Sequence, residues 1–343
     1  MKYDPKVSII VIIYRVAPFL SECLDSIITQ TYENTEIICV VGEGDEECEE
    51  IAREYEKKDS RIKLLINLPR GTAAARNEGL SAAGGELIAF VDGDDHIESD
   101  MIETMVRSLT DNDADISVVG RYYDYENRTD ADNAGSKFIL NRKEVYEILL
   151  YQTGFFLHIW DKLYRRELFN GISFDTGKKV EDREVVFKLL GRAKKTVYDS
   201  TPKYHFRVSQ DSGSRVSDNL LRSLESDRVI TDEMLRQYPD LKKACDFFLV
   251  YETISVIQND MLKGTYSSEY DKEHLTFVRK HLKDVCLDKR VRKAVKLKII
   301  LCSYFPGILK KMTLKRRKEY LDTHKEFTTG TDWAATFKEQ GVE

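Results

Sequence analysis

The 343-residue sequence contains no CxxC pair: its six cysteines stand far apart, which excludes a zinc knuckle or a dense disulfide framework and fits a reducing cytoplasm. No window approaches the ~18 consecutive apolar residues that a bilayer-spanning helix requires. Met1–Ile13 carries an aspartate and no small-residue cleavage site, so it is not expected to be a signal peptide. A basic glycine-rich phosphate loop near the start is also missing, which weighs against a nucleotidyltransferase. A net charge of −6 excludes a protein that is basic over its whole surface, as a nucleic-acid coat would be. Apolar residues make up 42% of the chain and aromatics 10%, enough buried surface to exclude global disorder.

What is present is a strand–helix alternation. Val7–Ile13 is a short, β-branched run that is apolar almost throughout, the pattern of a central parallel strand buried on both faces. Leu20, Cys23, Leu24, Ile27 and Ile28 then fall on one helical stripe, with Pro18 suited to the first turn. The cycle repeats through strands at Glu36–Val41, Arg61–Ile66 and Glu86–Val91. Four alternations in about ninety residues predict an α/β fold with a doubly wound, mostly parallel sheet. Asp124–Ser136 is apolar-poor and reads as an exposed loop. Beyond about Leu220 strand patterns fade and helical stripes take over, so the expected division is residues 1–217 as an α/β domain and 218–343 as an all-helical region.

The last of the four strands runs straight into Asp92-Gly93-Asp94-Asp95. Ligands of open α/β sheets bind beyond the carboxyl ends of the strands, and crowded carboxylates there suit a hard cation such as Mg²⁺ or Mn²⁺. An ordinary solvated turn would use the same residue types. Glu181-Asp182 opens another apolar-striped helix, where acidic residues also serve simply to complement the helix dipole.

The order of the surrounding segments separates these readings. Val7–Val40, Arg70–Asp95 (RGTAAARNEGLSAAGGELIAFVDGDD), Trp160–Phe169 (WDKLYRRELF) and Val180–Leu190 (VEDREVVFKLL) together resemble the family 2 glycosyltransferases of the Rossmann-like GT-A fold, notably those building bacterial capsular, exopolysaccharide and cell-wall glycans. The resemblance spans about residues 5–210. It implies inverting transfer of a hexose-type sugar from a nucleotide sugar, UDP-linked by preference, to a hydroxyl of a glycan or lipid-linked glycan, with Mn²⁺ or Mg²⁺ as cofactor. Asp92 and Asp94 would hold the metal, Asp92 also meeting the ribose, while Asp95 would stand behind these ligands or cap a helix. Asp182 would act as general base beside Glu181. Arg76 would pair with the diphosphate or with the aspartates of the acidic loop, His205 and Arg207 would reach the diphosphate, Tyr14 would lie near the base, and Trp160 and Lys162 would line the acceptor side. A core position is the alternative for Trp160 and for His205.

This chain departs from the family pattern around the base. The usual Asp-Asp-Gly-Ser after the second strand is Val41-Gly42-Glu43-Gly44, leaving Glu43 or Asp45 to replace the base-reading aspartate, and Arg15 and Pro69 stand where relatives often carry asparagine. A degenerate domain that binds or scaffolds glycan without turnover is the alternative these changes raise. Residues 289–318 hold twelve Lys and Arg and no acid, interleaved with aliphatics and aromatics. That suits peripheral contact with the anionic inner face of the plasma membrane, or equally a helix pair packed through its apolar side. No nucleic-acid partner is expected.

Overall fold

A computed structural model describes residues 4–67, 71–132, 135–177, 181–210, 217–267, 269 and 271–327. The chain divides into two units: Met1–Val145 with Leu157–Gly213 and Glu326–Glu343, and Tyr146–Phe156 with Ser214–Lys325. The sequence suggests a single crossing near 217; the structure adds an earlier excursion and a late return.

Among the described residues, the first unit is built on one ten-stranded sheet. Its parallel half contains β1 (Val7–Ile13), β2 (Thr35–Gly42), β3 (Ile62–Asn67) and β4 (Leu87–Asp92), in the order 3-2-1-4. Helices α1 (Ala17–Ile28), α2 (Glu46–Lys58) and α3 (Thr72–Ala82) connect them, and α1 buries Leu20, Cys23, Leu24 and Ile27, the stripe legible in the sequence. Parallel strands in register bring their carboxyl ends to one edge: Ile13 pairs with Val41, and Ile12 with Asp92.

After β5 (His96–Ile97) and α4 (Met101–Asp111) come β6 (Ile116–Tyr125), β7 (Arg128–Ala131) and β8 (Lys137–Leu140). Then follow α5 (Arg142–Tyr151), β9 (Lys162–Arg165), α6 (Glu181–Arg192) and β10 (Thr196–Arg207). One of these has no signal in the sequence pattern, and one overturns an expectation. Strand β9 lies antiparallel between β4 and β6, and its buried lysine hides it from a hydropathy pattern. The expected loop at 124–136 is partly strand: β7 folds back on Tyr122–Tyr125 of β6 as a hairpin. Its side chains are mostly exposed, so backbone pairing rather than burial holds it, and composition does not report that.

Glu36 ties the amino ends of three strands together. Its carboxylate accepts hydrogen bonds from Lys6 Nζ, Ser8 Oγ and the backbone N–H groups of Gly84 and Gly85. Burial alone would raise this carboxyl, but the Lys6, Ser8 and Gly84 bonds outweigh it and lower it from 4.5 to about 2. A depressed carboxylate stabilises the fold above its unfolded value and loses that contribution as pH falls through the folded one. Glu36→Gln is therefore expected to cost about 2–3 kcal/mol at pH 7, a gap to wild type that narrows below pH 4.5 and closes toward pH 2. Urea unfolding across that range checks it; a gap independent of pH would refute the assignment.

The second unit is helical among its described residues: α7 (Ser217–Gln237), α8 (Lys242–Lys263), α9 (Lys272–Leu287), α10 (Lys293–Tyr304) and α11 (Pro306–Thr323). Helix α8 buries Phe247, Phe248, Ile254 and Ile257. Within 289–318, Val291, Ile299, Cys302 and Leu309 are buried, whereas Leu297, Tyr304, Phe305 and Ile308 lie half exposed or more. No described helix is long and apolar enough to cross a membrane.

Candidate active site

The acidic loop is fixed from both sides. Gly93 donates its N–H to Ile12 O at 2.9 Å, and a Cβ at Gly93 would stand 2.9 Å from that oxygen, so only glycine lets the turn pass so close to β1. Asp95 N–H bonds Asp92 O at 3.0 Å. The buried Asp95 carboxylate accepts from Tyr204 Oη and from the backbone N–H of Arg207, each at 2.8 Å, while Tyr204 Oη itself accepts the Asp92 N–H at 3.2 Å. Asp95 thus anchors the loop to β10 and leaves Asp92 and Asp94 as its partly exposed carboxylates.

Those two carboxylates crowd each other. Burial, then the charge of Asp92, pushes the Asp94 carboxyl up to about 6, against the opposing pull of Arg207. Asp92 is also raised, by burial and by the charge of Asp182, while Arg76 opposes. Arg76 reaches Asp92 Oδ1 at 3.4 Å and lies 5.8 Å from the Phe174 ring centroid. Asn77 orients that corner: its side-chain amide donates to Phe174 O and accepts from Phe174 N–H, both at 2.8 Å.

Arg207 approaches from β10. One Nη donates to Glu22 at 2.7 Å, and the guanidinium lies over the rings of Phe19 (4.2 Å) and Phe327 (5.1 Å). Its Nε and other Nη are buried with no hydrogen-bond partner among the described residues, donors that an anionic ligand would satisfy. Asp182 sits in the first turn of α6, its charge felt by Asp92 and by Lys162. Glu181 opens the same helix; its side chain lies outside the described residues.

At the ends of β1 and β2 the structure joins Tyr14, Arg15, Gly42 and Asp45. A Cβ on Gly42 would stand 2.4 Å from Tyr14 Cδ2, so the tyrosine is seated on glycine backbone. Arg15 has φ 56°, the left-handed region that asparagine tolerates better than arginine. Asp45 accepts the Arg15 N–H there and caps α2 through Cys48 N–H at 3.4 Å. Glu43 is exposed. Pro69 lies outside the described residues.

Three expectations need correction. Trp160 is 5% exposed and stacks on Tyr204 (4.3 Å), His158 (5.0 Å) and Phe206 (5.6 Å), so it offers no face to an acceptor sugar. Lys162 is fully buried, paired with Asp161 and donating to His158 O at 2.6 Å; burial lowers its pKa despite Asp161. A buried ion pair of this kind belongs to the interior. His205 does not face a diphosphate: Nδ1 meets Asp124 Oδ2 at 3.0 Å, Nε2 meets Glu98 Oε1 at 3.1 Å, and the ring stacks on His96 and Tyr122. Sequence reasoning also missed Tyr204, Glu22 and Phe174, whose roles arise from contacts between distant segments with no local signal.

The acidic loop stands at the carboxyl edge of the parallel strands, where open α/β sheets bind their ligands, and Arg76 and Arg207 act on its carboxylates. Residues 8–177 match the family described as glycosyl transferase family 2. Glycosyltransferase GlyG of Streptococcus pneumoniae is 30% identical over 296 residues, 82% of this chain and 93% of its own. Glycosyltransferase GlyA of the same organism is 35% identical over 226 residues, 63% of this chain but only 32% of GlyA's length. S. aureus TarS in complex with UDP-GlcNAc shares the fold at TM-score 0.64 and 17% identity, covering 92% of each chain. A Pyrobaculum calidifontis mannosyltransferase in complex with GDP-Man and Mn²⁺ does so at TM-score 0.55 and 18% identity, covering 94% of this chain and 89% of its own. The chain belongs to glycosyl transferase family 2.

Proposed function

We propose that the chain transfers a hexose-type sugar from a nucleotide sugar, preferably UDP-linked, to a hydroxyl of a glycan or lipid-linked glycan, inverting the anomeric centre in one displacement. The observation that carries this reading is the convergence of Asp92, Asp94, Arg76, Arg207 and Asp182 at the carboxyl end of β4. The donor set fits a divalent cation: two crowded carboxylates, one pushed up to about 6, give hard oxygen ligands whose repulsion a cation relieves. Asp92 and Asp94 would hold Mg²⁺ or Mn²⁺. When bound, the ion supplies stabilisation of the negative charge that develops on the leaving diphosphate.

The protein's own groups perform the remaining work. Arg207 and Arg76 bind the diphosphate and hold it in line. Asp182 takes the proton of the acceptor hydroxyl; that oxygen bonds to the anomeric carbon as the carbon–oxygen bond to the diphosphate breaks, and the nucleoside diphosphate leaves with the electron pair. Tyr14 packs near the base, and Glu43 replaces the missing base-reading aspartate, since Asp45 already serves the backbone of Arg15 and Cys48. That commitment also favours the second reading, a degenerate domain that binds glycan without turnover.

Assay of UDP-, GDP- and dTDP-sugars with Mn²⁺, following release of nucleoside diphosphate, separates the two. Turnover with any donor supports the enzyme. Failure of every donor to turn over refutes the enzyme and leaves the degenerate, glycan-binding domain.

The work is assigned to a cytoplasmic protein docked peripherally on an anionic membrane surface through residues 289–318. Support comes from the exposure of Tyr304 (60%) and Phe305 (53%) within the basic segment. The chain is expected to float with liposomes containing anionic lipid and to be released by salt; no flotation at low salt would favour a helix pair that only packs.

A further inference from the structure

We propose a second cation site, distinct from the acidic loop, in which His96, Asp124 and His205 ligate a transition-metal dication of the Zn²⁺ class. The three residues come from three strands that the sheet places side by side. His205 of β10 pairs with His96 of β5, and Arg207 of β10 with Asp124 of β6. Their ligand atoms all lie within 4.8 Å of one another. Asp124 Oδ2 stands between the imidazoles, 3.0 Å from His205 Nδ1 and 3.7 Å from His96 Nε2.

The surroundings match what a metal-binding histidine requires. The far nitrogen of His205, Nε2, meets the Glu98 carboxylate at 3.1 Å, as the outer carboxylate of a carboxylate–histidine–metal chain does. The other oxygen of Asp124 accepts the Thr129 hydroxyl at 2.7 Å, which turns Oδ2 toward the histidines. His96 has no such support. Its Nδ1 is buried without a hydrogen-bond partner among the described residues, and Nε2 stands beyond hydrogen-bond reach of Asp124. A cation bound at Nε2 would give that imidazole a partner. The two rings stack 4.1 Å apart at 16°, so binding requires them to fan slightly open.

Ligand chemistry separates this site from the acidic loop. Two imidazoles and one carboxylate suit Zn²⁺ and its neighbours, whereas Asp92 and Asp94 offer oxygens only and suit Mg²⁺ or Mn²⁺. Three protein ligands leave one position for water. The site would clamp β5, which directly follows the acidic loop, to β6 and β10.

The full-length protein, loaded with Zn²⁺ and dialysed against excess Mg²⁺, should retain one equivalent by elemental analysis. Loaded instead with Co²⁺, it should show visible bands of nitrogen ligation. Asp94→Asn should retain the ion. His96→Gln with His205→Gln should bind at least tenfold more weakly with an unchanged circular dichroism spectrum, and Glu98→Gln about tenfold more weakly. Failure of the wild type to retain zinc, absence of nitrogen-ligation bands, full retention by the double histidine variant, or loss in Asp94→Asn would each overturn the proposal. The wild-type cobalt spectrum decides the matter even if the double variant fails to fold.

Discussion

Asp182→Asn is expected to lower turnover by at least ~10²-fold with little change in donor affinity, the scale on which a general base contributes. Asparagine keeps the size and position of the side chain in the first turn of α6 but cannot accept a proton. The Asp182 charge raises Asp92 and acts on buried Lys162, so it lies within electrostatic reach of both. A residue that merely complemented the helix dipole would cost only tenths of a kcal/mol when neutralised, well under tenfold in rate. Steady-state kinetics over a donor titration tells these apart. Near-normal turnover in Asp182→Asn would move the base elsewhere, with Glu181 next in sequence.

Asp94→Asn is expected to lower turnover by ~10²-fold or more and to stabilise the metal-free protein at the same time. The second effect follows from the sign of the shift. Burial and Asp92 raise the Asp94 carboxyl to about 6, above the unfolded value of 3.8. The native state therefore binds that proton more tightly than the unfolded chain, and stability falls as pH rises from about 4 to about 6. At pH 7 the ionised carboxylate costs about 2–3 kcal/mol, which asparagine removes. Turnover across a Mn²⁺ titration, with melting temperatures in chelator at pH 7 and pH 4, tests both halves. The variant should melt higher than wild type at pH 7 and about level at pH 4. A variant that melts lower at both would make Asp94 a structural residue.

The parallel half of the sheet was legible in the sequence because its strands are buried on both faces, so Val7–Ile13 and Glu86–Val91 read as continuous apolar runs. The acidic loop was legible for the same reason, since it follows directly on such a run. Strand β9 was not, because Lys162 is buried through an ion pair and a backbone bond that composition cannot show. Trp160 failed as an acceptor platform because its stacking partners Tyr204 and Phe206 lie more than forty residues away. His205 carries no local signal of its role, because its surroundings come from β5, β6 and Glu98. Pattern reports what a segment buries, and long-range pairing decides what a polar side chain meets.

The late return of the chain bears on any attempt to cut it. Phe327 forms a bridge with Ser209, donating its N–H to Val208 O at 3.0 Å and accepting from Gln210 N–H at 2.9 Å, while its ring lies against Phe19 and Arg207. Residues 214–325 are therefore a long insertion within the first unit and not a tail hung after it. A fragment ending at 217 would keep every carboxylate of the crevice yet strip one aromatic wall from Arg207 and the pairing partner from the strand end beside it. Trimming the helices by internal deletion, with 326 and 327 spliced back, preserves what a simple stop codon would remove.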